Sequence, residues 1–292
     1  MTVRLGDRAV EVGGPELGTL RDGSALLGDP EGLRAQLAED GYLLLPGLQD
    51  PNRVRRARRH VLAYLETSGR LDLAGAELGR AAPAARGEFL GPERALSRAP
   101  ELLDLVEAPE IMEFFRVLFA DEVLTFDFKW LRAIAPGEAT GAHYDAVYMG
   151  RGTDRLLTAW TPLGDVPYEL GPLAILAGSH RFERLKQTYG RVDVDRDRTR
   201  GWLSVDPLSV AEVFGGQWQT AEFRAGDTLI FGIHTLHCSL ANTSPYFRLS
   251  CDTRFQRAVE PVDERWVGAE PRGHAGWREE QTISDLRKRW HL

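Results

Sequence analysis

Apolar residues recur every three or four positions in three stretches of the first 120 residues, and at every second position in short runs thereafter. The first stretch opens at Asp29-Pro30, where Asp suits an N-cap and Pro the first helical turn. Leu33 and Leu37 give it an apolar stripe and Gly41 ends it. Tyr42-Leu43-Leu44-Leu45 then reads as a strand stopped by Pro46-Gly47. Asp50-Pro51 repeats the start signal, and Val54, Ala57, Val61, Leu62 and Leu65 follow at helical spacing. A third helical pattern covers about 100 to 120, through Leu102, Leu105, Ile111, Phe114, Phe115 and Leu118. The first ~20 residues lack a clear period and are expected to form a short strand or an arm. Residues 70 to 98, rich in Ala, Gly and Arg, read as a surface loop or weak helix.

After Asp121 short strand-like runs alternate with Gly and Pro turns: Val123 to Ala133, His143 to Met149, Arg155 to Pro162, Leu173 to Leu176, Ala221 to Phe223, Thr228 to Ile233 and Phe247 to Phe255. Helices first and strands later predict an α+β, mainly β protein with a sandwich or barrel as its second part. Residues 183 to 219 interrupt the strands, and an insertion of that length suits a lid or specificity loop. With neither an internal repeat nor a separating linker, residues 1–292 are expected to form a single domain. Its parts are a helical portion (about 1–120), a core (about 121–260) and a tail (about 261–292).

Composition narrows the class. Hydrophobic residues make up 43% and charged residues 27%, the balance of a globular protein. No run approaches the ~18 apolar residues of a membrane span, and the first residues lack the apolar stretch of a signal peptide. The protein is therefore expected in the cytoplasm, with Cys238 and Cys251 as free thiols. A net charge of -7 argues against nucleic acid as a partner. The run Arg53, Arg55, Arg56, Arg58, Arg59 reads as a solvated helix face rather than a phosphate site.

The candidate chemistry lies in His143-Tyr144-Asp145. On a strand, residues two apart share a face, so an imidazole and a carboxylate would stand side by side with Tyr144 turned away. A second imidazole from another strand would complete a facial triad with three octahedral positions open, the arrangement of non-haem Fe(II) sites in oxygen chemistry. Both His234 and His237 end a strand after the turn Gly226-Asp227. His237 is preferred, because Ser239 and Asn242 follow it. Arg248 opens a run in which Arg248, Ser250, Asp252 and Arg254 alternate with apolar residues or Thr253. Its planar, permanently charged guanidinium suits bidentate capture of a carboxylate. Arg254 reads instead as a structural partner of Asp252.

Taken in order, Asp40-Gly41-Tyr42-Leu43-Leu44-Leu45-Pro46-Gly47, His143-Tyr144-Asp145, Trp160-Thr161-Pro162-Leu163, Gly171-Pro172-Leu173, Gly178-Ser179-His180, Gly226-Asp227 and His237-Cys238-Ser239 with Asn242 and Arg248 carry a resemblance. From Asp40 to about Val262 the chain resembles the phytanoyl-CoA dioxygenase-like branch of Fe(II)/2-oxoglutarate-dependent oxygenases. The resemblance implies a double-stranded β-helix (jelly roll, cupin-like) core flanked by N-terminal helices. It implies iron ligation by His143, Asp145 and His237. It also implies 2-oxoglutarate anchored by Arg248 with Ser239, near Trp160 and, as in some relatives, Phe128. His180 belongs to a turn motif and is not expected to ligate.

The reaction so implied consumes 2-oxoglutarate and O2, releases succinate and CO2, and hydroxylates an unreactive C–H bond. Relatives that halogenate replace the carboxylate ligand with a small residue, so Asp145 points to hydroxylation, with desaturation or ring chemistry at the same iron left open. Trp130, Arg132 and Tyr148 are candidate substrate contacts, with Phe128, Trp130 and Arg132 sharing one strand face. A small metabolite or natural-product intermediate fits better than a CoA thioester, for which no basic groove is evident. A cupin-type dioxygenase without 2-oxoglutarate would leave Arg248 and Ser239 without a role. A catalytically silent jelly-roll binding protein would not need an intact triad. A hydrolase would need a nucleophile elbow, which the chain lacks.

Overall fold

The computed structural model describes residues 1–292 apart from 73, 75–77, 84, 277 and 291. The N-terminal arm is a hairpin of β1 (Thr2–Leu5) and β2 (Arg8–Glu11), followed by β3 (Leu17–Thr19). The alternation was too short to read from sequence, but Val3, Leu5 and Val10 are buried. The first two helices form where their caps place them. In α1 (Pro30–Asp40) the Asp29 side chain accepts from Gly32 N–H, and Gly41 closes the helix with φ 82°. After β4 (Tyr42–Leu45) comes α2 (Pro51–Thr67), where Asp50 accepts from Asn52 N–H and Val54, Ala57, Val61, Leu62 and Leu65 are buried. Part of the 70 to 98 stretch lies outside the described residues; the rest contains β5 (Glu88–Phe89) and α3 (Arg94–Ser97). The helical pattern at 100 to 120 is two helices, α4 (Pro100–Val106) and α5 (Pro109–Phe119). Pro109 separates them, because proline lacks the N–H that would continue α4 but suits a first turn.

The later elements are β6 (Val123–Thr125), β7 (Trp130–Ile134), α6 (Ala146–Met149), β8 (Leu157–Pro162), β9 (Leu173–Leu176), α7 (Glu183–Gln187), α8 (Val194–Asp197), α9 (Pro207–Phe214), β10 (Trp218–Thr220), β11 (Thr228–Gly232), β12 (His237–Ser239), β13 (Arg248–Arg257) and α10 (Ile283–Trp290). Three strand expectations need correction. Val123 to Ala133 is broken between Thr125 and Trp130. His143 to Met149 is extended only to His143 and then turns into α6. Ala221 to Phe223 keeps only one bridge, Phe223 to Val166, while the strand itself is Trp218–Thr220. That strand ends the 183 to 219 insertion, which is mostly helical.

Two sheets form a double-stranded β-helix, as expected. The larger runs β4-β11-β8-β13-β7-β5, with β6 also on β13; the smaller runs β12-β9-β10-β3. Between them Tyr42, Leu44, Trp160, Leu229 and Phe231 of the larger sheet meet Leu173 and Ile175 of the smaller. The outer face of β13 is covered by helices. Leu249 and Cys251 pack with Val61 and Leu105, and Phe255 stacks on Phe115 with ring centroids 3.7 Å apart. The alternation along β13 therefore turns Arg248, Ser250, Asp252 and Arg254 inward, where they are 7% exposed or less. Within the arginine run of α2, Arg53 pairs with Glu110, and Arg56 with Asp104 at 2.7 Å. Both cysteines are buried and unbonded. Among the described residues no helix is long and apolar enough to cross a membrane.

Gly171 closes the turn before β9 with φ 74°, and a Cβ there would lie 2.6 Å from the Leu240 carbonyl oxygen. Gly171→Ala combines an unfavourable left-handed backbone with that clash and is expected to cost about 2–3 kcal/mol. Urea unfolding checks this; an unchanged midpoint would contradict the packing described.

Candidate metal centre

His143 and His237 are cross-strand neighbours. The N–H of each donates to the carbonyl of the other, at 3.0 and 3.1 Å. Asp145 joins them by a turn rather than by strand periodicity: its backbone is already helical (φ −63°, ψ −26°) at the start of α6. Tyr144 does point away, with its hydroxyl donating to Ser179 O at 2.9 Å. Each imidazole is oriented by a backbone carbonyl, His143 Nδ1 to Gly141 O at 2.8 Å and His237 Nδ1 to Thr235 O at 3.0 Å. With Nδ1–H donating, the Nε2 lone pairs are left to face Asp145 Oδ1, at 4.0 and 3.8 Å. Ligand atoms of all three residues lie within 4.8 Å of one another.

The electrostatics suit a cation. Burial, then His237, pushes the His143 imidazole down to about 3, and burial also lowers His237. Both rings therefore stay neutral with free lone pairs. Burial alone would raise the Asp145 carboxyl, but Arg254, then His237 and His143, hold it well below the usual carboxylate range. Its Oδ2 accepts from Thr158 Oγ1 at 2.5 Å and lies 3.1 Å from Arg254 Nη2. Asp252, the partner expected for Arg254 from the sequence, is farther away at 3.8 Å. Only the folded path of Asp145 into α6 reveals the closer partner.

Arg248, Trp160 and Ser239 are each 1% exposed. The Arg248 guanidinium lies 5.8 Å from the Trp160 ring centre, and burial pushes it down to about 10. Its Nε and Nη1, the Trp160 Nε1 and the Ser250 Oγ are buried without a hydrogen-bond partner. Buried polar groups are rarely left so, and a bound carboxylate matches this donor set. Ser239 shares the inward face of β12 with His237, and its Oγ accepts from Thr140 N–H at 2.9 Å.

Beside the triad lies a cavity of about 420 Å³ that Trp130, Arg132 and Tyr148 line together with His143 and Asp145. Arg132 is held by Asp252 at 3.2 Å and lies over the Phe89 ring. Tyr148 packs edge-on to His143, and Gly201 leaves room for it: a Cβ there would lie 2.2 Å from Tyr148 Cζ. Sequence reading missed the other walls, Phe89 from β5, Trp202 from the insertion and His274 from the tail. They come from segments without periodicity and meet only in three dimensions. The tail is fixed by Arg265, which pairs with Asp263 and Asp195 at 2.5 Å.

Other candidates fall elsewhere. Phe128 lies in the loop before β7 rather than on its face, and lines a neighbouring cavity with Arg98, Asp127, Trp266 and Arg272. His234 packs on Tyr144 and lines a separate cavity with His180 and Glu183. His180 Nε2 bonds to Ala38 O at 3.0 Å and so ties its turn to α1.

The chain is 29% identical over 256 residues to the 1-deoxypentalenic acid 11-beta-hydroxylase of Streptomyces exfoliatus, covering 81% of this chain and 84% of that one. Its fold is similar to that of the non-heme alpha ketoglutarate dependent carbocyclase SnoK from nogalamycin biosynthesis, with TM-score 0.60 and 22% identity over 86% of this chain and 93% of that one. It is also similar to the epimerase SnoN of nogalamycin biosynthesis, solved in complex with Fe3+, alpha ketoglutarate and nogalamycin RO, with TM-score 0.54 and 22% identity over 87% of this chain and 97% of that one. Residues 37–250 match the family described as phytanoyl-CoA dioxygenase (PhyH), and the chain belongs to that family.

Proposed function

We propose that the chain is an iron(II)- and 2-oxoglutarate-dependent oxygenase that hydroxylates a small-molecule metabolite or natural-product intermediate. The carrying observation is the His143, Asp145, His237 cluster in the same sheet framework as a fully buried Arg248 with unpaired donors. The family and the alpha ketoglutarate dependent neighbours support the cosubstrate. A metal dioxygenase without 2-oxoglutarate, or a silent binding protein, would leave Arg248 buried at a cost and without a task.

In this reading His143 and His237 donate Nε2 lone pairs and Asp145 one carboxylate charge. A bound iron would supply the oxidising power, drawn from 2-oxoglutarate and O2 with release of succinate and CO2. Arg248 pairs with the far carboxylate of 2-oxoglutarate beside Trp160, with the Ser239 hydroxyl as a further donor. Trp130, Tyr148, Phe89 and Trp202 present apolar surface to the substrate and keep water from the reacting bond. Arg132, 30% exposed at its side chain with only Nε given to Asp252, is free to meet a substrate carboxylate through its terminal nitrogens. The hydroxylase relative is named for a carboxylic acid, which favours an apolar acid as substrate.

Retention of Asp145 favours hydroxylation over halogenation. A second outcome, ring closure or epimerisation at the same centre, is favoured by the names of the structural neighbours. Two unbonded thiols suit a reducing compartment such as the cytoplasm. Succinate release from 2-oxoglutarate, screened across apolar carboxylic acids, tests the proposal. Release stimulated by a substrate whose product gains one oxygen atom supports hydroxylation. A product that gains no oxygen atom supports the second outcome, and no release with any acid counts against the substrate class.

A further inference from the structure

We propose that Arg254 and Thr158 act as positioning residues that hold Asp145 to a single ligating oxygen, so that one more coordination position stays open. The inference rests on the metal-site reading above and concerns how the carboxylate is presented. The two oxygens of Asp145 are in different surroundings. Oδ1 faces both imidazoles, 4.0 Å from His143 Nε2 and 3.8 Å from His237 Nε2. Oδ2 is turned away and receives Thr158 Oγ1 at 2.5 Å and Arg254 Nη2 at 3.1 Å. These two donors fill the lone pairs of Oδ2, so offering both oxygens to a metal would cost at least one of the contacts.

The two donors are delivered as a unit. Thr158 on β8 and Arg254 on β13 are cross-strand partners in register, and both project into the interior of the sheet. Arg254 is itself pinned. It is 1% exposed, its guanidinium lies 4.4 Å from the Trp130 ring centre, and its Nε bonds Met149 Sδ at 3.2 Å. Asp252 lies 3.8 Å behind it and is held by Arg132. A guanidinium so fixed has few alternative positions, so Oδ2 keeps a charge-assisted partner.

The consequence is a matter of counting. Two imidazoles and one carboxylate oxygen leave about three positions of an octahedron, enough for a chelating 2-oxo acid and O2. A carboxylate bound through both oxygens would take one of these. A cation beside Oδ2 also competes with a metal for that oxygen.

Manganese(II) is the probe: its affinity and the number of its exchangeable waters are read by water-proton relaxation, with thermal melting as the check on folding. The wild-type protein is expected to hold about three exchangeable waters on the ion. Arg254→Met is expected to lose about one of them while binding manganese at least as tightly. General damage to the site would instead weaken binding. Thr158→Val, which leaves the charges paired, is expected to shift the count in the same direction by less, and Arg254→Lys to restore it. An unchanged count in Thr158→Val, or in folded Arg254→Met, overturns the proposal while leaving the metal site standing. Failure of the wild-type protein to bind manganese would instead overturn the metal reading, and this inference with it.

Discussion

His237→Ala is expected to lower Fe(II) affinity by at least about 100-fold, while His234→Ala leaves it within about two-fold. Loss of a group that merely orients a ligand costs roughly 10- to 100-fold, and His237 contributes the ligand atom itself. Its Nε2 lies on the open side of a ring whose Nδ1 is committed to Thr235 O. The remaining pair, His143 and Asp145, would face a cavity where the third imidazole had been. His234, three residues earlier, packs edge-on against Tyr144 and lines a different cavity. Equilibrium dialysis of Fe(II) under anaerobic conditions reads both variants. Retained affinity in His237→Ala together with loss in His234→Ala would reverse the assignment of the third ligand.

Arg248→Ala should weaken 2-oxoglutarate binding by about 2–3 kcal/mol, the scale of a charged group left without its partner, or roughly 30- to 150-fold in Kd. The reason lies in burial. Arg248 is 1% exposed, its Nε and Nη1 have no protein partner, and Asp252 is the acidic group that most offsets its desolvation. Truncation would leave the distal carboxylate of the cosubstrate facing the Trp160 ring and the Ser250 hydroxyl without a counter-charge. Arg248→Lys restores the charge but not the planar fork and should recover only part of the loss. Titration of 2-oxoglutarate onto the metal-loaded protein measures the change, and an unaltered Kd would place the anchor elsewhere.

Much of the site was legible before the fold because its parts are local. His143 and Asp145 are two residues apart, His237 and Ser239 share one face of a three-residue strand, and Arg248 begins the longest alternating run of the chain. The capped helices at Asp29-Pro30 and Asp50-Pro51 were legible for the same reason, since each start signal sits beside the helix it opens. The errors arose where a short apolar run fits two periods. Ala146-Val147-Tyr148-Met149 reads equally well as strand or helix, and the fold chose a helix, which moved Asp145 onto its N-cap and toward Arg254. Phe128 was placed on the Trp130 face by extending a strand that is broken at Phe126 to Lys129. Lys129 is buried there and paired with Glu107 at 2.5 Å, a long-range contact without a local signature. The cavity walls at Phe89, Trp202 and His274 were illegible for a related reason: each sits in an irregular or briefly structured segment and gains its role only from what it meets.

In the proposed centre one iron, held by His143, Asp145 and His237, shares 2-oxoglutarate with Arg248. Mixing the protein anaerobically with Fe(II) and 2-oxoglutarate tests it most directly, because chelation of the metal by the 2-oxo acid gives a weak visible charge-transfer band. The wild-type protein is expected to develop a band that saturates at one 2-oxoglutarate per chain. A wild-type protein that binds Fe(II) but develops no band would contradict it.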